Sequence, residues 1–395
     1  MSIRRNQNYD SVTTSFVVAL YLTIAVLGFL PYSISSSGFE RFEPKIVSLE
    51  LASLAIAFLL AIARIRQIEF KKRFVYLFIP LIAFTVLNSI IILTEEARAA
   101  TYSIFIGAAL AYFIGGALSN AKIEYSRITK LWPIIAGLIL LGVSIYYIQT
   151  GKIDFPQEGM LKPVFPGGLV STELSNIAAI ILIALYFTKT NSPAKSIHLG
   201  VTLSGVVLCL WFFSAGTIAA LMLIYMVYIP RESKLFVVSF KLMGTIIVVT
   251  LPFYILLELG IVDSIWLLRY TDDSVFLRFE IYQGLYQTAI NNPLTGIGVG
   301  KFYMPPHHNL LGLAAETGFF SAGLYLVFAI GALICTYNIA LKPSFNEYND
   351  SYFYWMLWSI ALFIFLKGFV HDTWQDKIFY FCLGYIANNK WQKSS

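Results

Sequence analysis

Apolar residues in this chain come in long blocks, where a surface helix or a half-buried strand would show short-period alternation. A hydrocarbon layer about 30 Å thick takes about 20 helical residues to cross. Twelve stretches of roughly that length can be marked, at 13–33, 46–64, 74–93, 99–118, 131–149, 168–187, 197–213, 215–230, 235–258, 318–341, 351–368 and 373–389. The seventh, eighth and twelfth are short, so ten or eleven spans also fit. One long polar excursion, 259–317, parts the ninth stretch from the tenth. The pattern predicts an all-α integral membrane protein of about twelve transmembrane helices, a single polytopic domain over 1–395 with one long loop between spans nine and ten. No repeat of fixed period and no low-complexity tract interrupts it.

Composition agrees: of 395 residues, 58% are hydrophobic and 13% charged, and the mean hydropathy is +0.72, outside the balance of a soluble domain. The net charge of +6 invites a nucleic-acid reading, but the positions of the charges give it a better explanation. Lysine and arginine gather in alternate connections, at Arg4 and Arg5, at Arg64 to Arg73, at Lys122 to Lys130, at Lys189 and Lys195, at Arg231 and Lys234, at Lys342, and at Lys390 and Lys393. Such a bias marks the cytoplasmic side of a membrane protein. It predicts cytoplasmic termini and a long loop on the opposite, ATP-free side. Arg4 and Arg5 precede an apolar run, but that run is long and no A-x-A site follows, so it reads as the first span. Cys209, Cys335 and Cys382 all fall in predicted spans, which predicts neither a disulfide framework nor a zinc site.

With so few polar residues, chemistry is expected in the outer segments. Lys152 to Pro166 carries Asp154, Glu158, Lys162 and three prolines, the composition of an irregular segment over a cavity. Ser214-Ala215-Gly216-Thr217 makes a tight turn between spans seven and eight, whose small residues permit close backbone approach. The long loop passes Arg269, Asp272 and Asp273 and then predicts a helix from Ser274 to Asn291, stopped by Asn292-Pro293. There Phe279, Tyr282, Tyr286 and Ala289 follow helical spacing, as in an amphipathic helix on a membrane surface. Gly296, Gly298 and Gly300 alternate superficially like a nucleotide loop but lack the third-gap glycine and the flanking strand and helix, so they read as a flexible bend. His307 and His308 follow two prolines, with Glu316, Thr317 and Gly318 at the mouth of span ten. Histidine is the side chain most readily moved across neutral pH. Adjacent histidines point in different directions, which argues against a metal; no cofactor is predicted. His371 and Asp372, at the turn between spans eleven and twelve, can approach the same place.

The run from Arg278 through Pro293-Leu294-Thr295-Gly296-Ile297-Gly298-Val299-Gly300-Lys301-Phe302 to His307-His308-Asn309 and Glu316-Thr317-Gly318 resembles the conserved region of the O-antigen ligase and Wzy-type polymerase superfamily. The resemblance covers about forty contiguous residues, with span count, topology and loop position in agreement across the rest. It implies a bacterial inner-membrane glycosyltransferase of GT-C-like architecture, acting on sugars carried by undecaprenyl diphosphate, with the long loop periplasmic. Counting the family motif from His307 aligns Leu311 and Gly318; counting from His308 recovers the His-Asn pair. Both registers stay open. The family's arginine before the glycine-rich bend falls on Arg278. The ligase branch carries an arginine in a Ser-Arg or Thr-Arg pair where this chain has Ser214-Ala215-Gly216-Thr217, and that departure points toward the polymerases.

A lipid diphosphate already carries its own leaving group, so the transfer needs no ATP. Cations aimed at the charge that develops on it lower the barrier most, and Arg278 and Arg269, with Lys162 as a third, are the candidates. Arginine's planar fork suits phosphate oxygens. The attacking sugar hydroxyl must lose a proton, and His307 or His308 can take it, with Glu316 orienting the ring or acting itself. The resemblance implies a single inverting displacement. The expected partners are an undecaprenyl-diphosphate-linked oligosaccharide, membrane lipid, and a chain-length regulator and flippase, with no nucleic acid. Three functions remain in play: a polysaccharide polymerase, a ligase onto lipid A-core, and a transporter of lipid-linked sugar. A transporter is expected to show related halves and charged or broken helices near the midplane, whereas the polar residues here gather in one loop.

Overall fold

A computed structural model describes residues 2–27, 55–62, 69–93, 99–119, 128–149, 164–165, 169–187, 217, 220–221, 224, 279–299, 301–302, 308–341, 348–369 and 376–388. They form an all-helical protein. The helices are α1 (Ser2–Leu27), α2 (55–62), α3 (Lys72–Leu93), α4 (Ala99–Leu118), α5 (Ile128–Gln149), α6 (Ser171–Phe187), α7 (279–291), α8 (Asn309–Thr317), α9 (Phe319–Leu341), α10 (Tyr348–Lys367) and α11 (Lys377–Ala387). A two-residue antiparallel ladder, β1 (Val164–Phe165) with β2 (Leu169–Val170), precedes α6. Spans seven to nine of the sequence pattern lie outside the described residues, apart from helical positions 217, 220, 221 and 224.

Among the described residues, two helices, over Lys72–Ile90 and Phe319–Tyr337, are long and apolar enough to cross a membrane. Each is apolar on its exposed side as well as over most of its buried one. In α3 the buried positions Phe74, Leu77, Leu81 and Phe84 alternate with an outward stripe in which Tyr76 is 66% and Ile79 60% exposed. In α9 Val327 is 64% and Ile334 60% exposed. A helix in water would carry polar residues on that side, so the composition is compatible with a membrane protein.

Where lipid replaces water, helices associate through close packing and buried hydrogen bonds rather than through hydrophobic burial. Both occur here. A Cβ on Gly384 of α11 would strike the Tyr112 carbonyl oxygen of α4, and one on Gly115 would strike the Phe381 carbonyl oxygen. The glycines thus let α4 and α11 touch backbone to backbone. Between α3 and α9, Asn88 Nδ2 donates to Ser321 Oγ at 2.7 Å, and Ser321 Oγ donates back to Asn88 Oδ1 at 3.0 Å. Trp358 Nε1 of α10 donates to the Leu333 carbonyl of α9 at 3.0 Å. On the other flank α1 packs on α5, and α6 joins α5 to α10.

The helix ends fall at two poles. One gathers the start of α3, the end of α4 and the end of α11. Asn388 Oδ1 accepts the Lys71 backbone N–H at 2.8 Å, Asn388 Nδ2 donates to the Gly116 carbonyl at 2.8 Å, and Arg73 Nε donates to the Ala387 carbonyl at 2.7 Å. The opposite pole gathers the starts of α8 and α9, the end of α10 and the segment after α7.

The segment 259–317 holds one helix more than the sequence pattern predicts within it. It contains α7, which falls within the helix expected over 274–291 and ends at the same residue, and also α8, a helix that the sequence pattern leaves unmarked. In α7 the buried stripe is Ile281, Leu285 and Ala289, whereas Phe279 and Tyr286 stand on the exposed side. The amphipathic face is therefore rotated from the one expected, because packing on the bundle selects the more regular aliphatic row.

Candidate functional site

Pro293 ends α7, and the chain then crosses the break between α8 and α9. The break is made by Gly318, whose φ of +89° belongs to the left-handed region, as does the +66° of Gly296. The two glycines pass each other at backbone distance. A Cβ on Gly296 would strike the carbonyl of Glu316, and one on Gly318 would strike the carbonyl of Leu294.

This crossing satisfies helix ends that would otherwise be orphaned. Ile297 N–H donates to the Ala315 carbonyl at 2.9 Å and Gly298 N–H to the Glu316 carbonyl at 2.9 Å, closing the end of α8. The Pro293 carbonyl accepts the Phe319 N–H at 2.9 Å, which serves the first turn of α9. The bend is therefore a fixed double cap, not the flexible one expected. Its N–H groups at 297 and 298 are committed to carbonyls, which argues further against a nucleotide loop.

His308 is the N-cap of α8, with extended backbone at φ −158° and ψ 115°. Its Nδ1 accepts the Leu311 N–H at 3.3 Å, the bond that Ser, Thr, Asp or Asn usually accepts. A nitrogen that accepts carries no proton, so the ring is neutral and its proton sits on Nε2. Burial holds the imidazole pKa below its ordinary 6.5, against the smaller opposing pull of its own backbone. The ring lies edge-on to Tyr282 of α7 at 5.4 Å and to Phe369, just past α10, at 5.7 Å. Tyr282 Oη closes the group by donating to the Phe369 carbonyl at 3.3 Å.

Asn309 fixes the same corner. Its N–H donates to the Gly368 carbonyl at 2.7 Å and its Nδ2 to Tyr325 Oη at 3.3 Å. A Cβ on Gly368 would strike Asn309 Nδ2. One residue earlier, Lys367 Nζ donates to Thr217 Oγ1 at 2.9 Å, and Thr217 Oγ1 donates to Asn176 Oδ1 of α6 at 2.9 Å.

Of the residues expected at the site, His308 and Glu316 are described; His307, Arg278, Arg269 and Lys162 lie outside the described residues, as do His371 and Asp372. Glu316 is buried at 2% exposure in the last turn of α8. Eight residues of helix rise about 12 Å, so Glu316 stands two turns from His308 and does not orient that ring. The contacts made at this corner by Lys367, Tyr282, Gly368 and Phe369 were not expected from the sequence. A lysine followed at once by glycine, closing an otherwise apolar span, is the signal that pointed there. Among the described residues no group of three or more His, Cys, Asp or Glu could hold a metal ion.

Compared with models of protein families and with curated proteins, the sequence matches none.

Proposed function

We propose that the protein is a polysaccharide polymerase of the O-antigen or capsule type, transferring glycan from undecaprenyl diphosphate onto a lipid-linked repeat unit. In this reading it sits in the bacterial inner membrane with about twelve spans in a GT-C-like arrangement, both termini cytoplasmic and the segment 259–317 periplasmic. The observation that carries the reading is the corner where the bend after α7, the N-cap of α8 and the end of α10 meet. It gathers the histidine segment, the glycine bend and a buried lysine at one pole of an all-helical bundle, and Arg278 directly precedes α7 in the chain.

In the reaction, the acceptor hydroxyl attacks the anomeric carbon, the new glycosidic C–O bond forms as the bond to phosphate oxygen breaks, and undecaprenyl diphosphate departs with the electron pair. Arg278, Arg269 and Lys162 meet the charge on the departing diphosphate. The two histidines divide the remaining work. His308 Nδ1 is committed to its cap and Nε2 carries a proton, so this ring positions and donates. The proton of the acceptor hydroxyl then goes to His307. Glu316, held in the last turn of α8, shapes the wall behind the glycine crossing.

Reconstitution of the purified protein in liposomes with its lipid-linked repeat unit is the test. Lengthened lipid-linked glycan is expected without any partner protein. Repeat units that remain single, or that are moved across the bilayer without joining, would sink the proposal.

A further inference from the structure

The helix α7 carries three rows of side chains where a surface helix in water carries two. Its buried row, Ile281, Leu285 and Ala289, packs on the bundle. Beside that row come Phe279, Tyr286 and Ile290, which fall within about 40° of one another around the axis and are 69%, 51% and 46% exposed. Beyond them Glu280, Gln283, Gln287 and Asn291 form an exposed polar row. A helix with water on all but its buried side would be polar over the whole of that arc. Here part of the exposed arc is apolar, and its residues are large.

The apolar row does not stop with the helix. Leu294, just past its end, is 77% exposed, and its carbonyl lies where a Cβ on Gly318 would strike it. The Pro293 carbonyl takes the Phe319 N–H at 2.9 Å, so this end of α7 is pinned to the start of α9. There Phe319 and Phe320 are 45% and 66% exposed, and they open the outward face that continues through Val327, Ile330 and Ile334. That face belongs to a helix long and apolar enough to cross a membrane. An exposed apolar patch marks an interaction surface, and its junction with a span says which kind: the same lipid that covers α9 reaches α7.

We propose that α7 is an interfacial helix, with Phe279, Tyr286, Ile290 and Leu294 set in the acyl region of the bilayer and the row of Glu280, Gln283, Gln287 and Asn291 turned to water. A helix with one apolar and one polar side lies in the plane of the interface, held there by burial of its apolar side. The consequence falls on the histidine corner. Tyr282 stands between the buried row and the lipid row, and its ring meets His308 edge-on at 5.4 Å. The corner is thereby held at the level of the lipid headgroups, behind the lipid-facing row of α7. The inference rests on the membrane placement in the proposed function, not on its chemistry.

The test adds single cysteines to the full chain, reconstituted in sealed vesicles of phosphatidylethanolamine and phosphatidylglycerol. The probe is a membrane-impermeant maleimide, and the wild-type chain with its own three cysteines gives the background. A thiol reacts as its thiolate, which apolar surroundings disfavour. Gln283→Cys and Gln287→Cys should therefore react about tenfold or more faster than Tyr286→Cys and Ile290→Cys, although all four positions are exposed on the helix. Phe279→Cys and Leu294→Cys should follow the slow pair, and they decide the matter if either of that pair does not fold. Equal rates in the two rows overturn the proposal. So does a slow row that becomes fast once the vesicles hold no more than one chain each, because a second copy was then the cover. A difference that survives this dilution leaves the bilayer as the cover. A protein that keeps the difference but joins no glycan would remove the polymerase reading alone, whereas glycan transfer with equal rates would remove the interfacial helix alone.

Discussion

The two poles of the bundle use the same residue types for different ends. At the pole of Lys71, Arg73 and Asn388, polar groups staple helix termini together: Arg73 bonds the Ala387 carbonyl at the end of α11, and one asparagine ties α3, α4 and α11. The half-buried Arg73 remains near solvent. At the opposite pole a lysine is buried outright, a histidine stands where a serine would cap, and two glycines in the left-handed region thread one segment through a helix break. The first arrangement needs only hydrogen bonds. The second accepts desolvation and restricted backbone geometry, which persist where something other than stability has fixed them.

The comparison breaks most directly through the histidines. His307→Ala should lower polymer formation by about 10²–10⁴-fold, the contribution of a general base, while His308→Asn, which retains a capping side chain, should keep most of it. Glycan ladders from a deletion strain carrying each variant decide between them. Equal loss in both would return the base to His308 and leave the cap incidental. At the other pole no single side chain should alter the ladder to that degree.

Next in size is the glycine crossing. Gly318→Ala places a methyl at φ +89° against the Leu294 carbonyl, and should cost more than about 2 kcal/mol by strain and displacement of the double cap. Gly384→Ala also meets backbone, the Tyr112 carbonyl, but α4 and α11 can separate slightly without a change of backbone region. Melting temperatures in detergent should therefore fall further for Gly318→Ala. The reverse order would mean that helix packing, not the crossing, limits stability. Arg73→Gln removes the 2.7 Å bond to Ala387 and should cost about 1 kcal/mol, with glycan length unaltered.

The helices themselves were legible in the apolar blocks. The block 74–93 became Lys72–Leu93, 99–118 became Ala99–Leu118, and 318–341 became Phe319–Leu341, because continuous apolar runs bounded by charge leave little choice of ends. The site was legible only in part. The stop at Asn292-Pro293 and the corner at His308 came from local chemistry. By contrast, α8 escaped notice because nine residues between two glycine-bearing segments show too little periodicity to mark a helix. The burial of Lys367 escaped for a different reason: its ammonium bonds to Thr217, 150 residues away in the chain. No local pattern encodes a contact across that separation.

The smallest expected effect is the most specific to His308. Its imidazole is held below the ordinary 6.5 by burial, so above 6.5 both folded and unfolded chains carry it neutral and the cap is intact. As pH falls through 6.5 toward the lowered folded value, the unfolded chain takes up the proton first, and stability declines with pH. Below that folded value the ring protonates within the structure, Nδ1 can no longer accept the Leu311 N–H, and the contribution of the cap is gone. His308→Asn has no such titration. Melting temperatures of wild type and His308→Asn, compared from pH 8 to pH 5, should therefore diverge only on the acid side, with the variant the less sensitive. The three other histidines are common to both proteins and cancel. Parallel curves across that range would show that the ring protonates without disturbing α8, and the distinction between a stapling pole and a working pole would lose its titratable member.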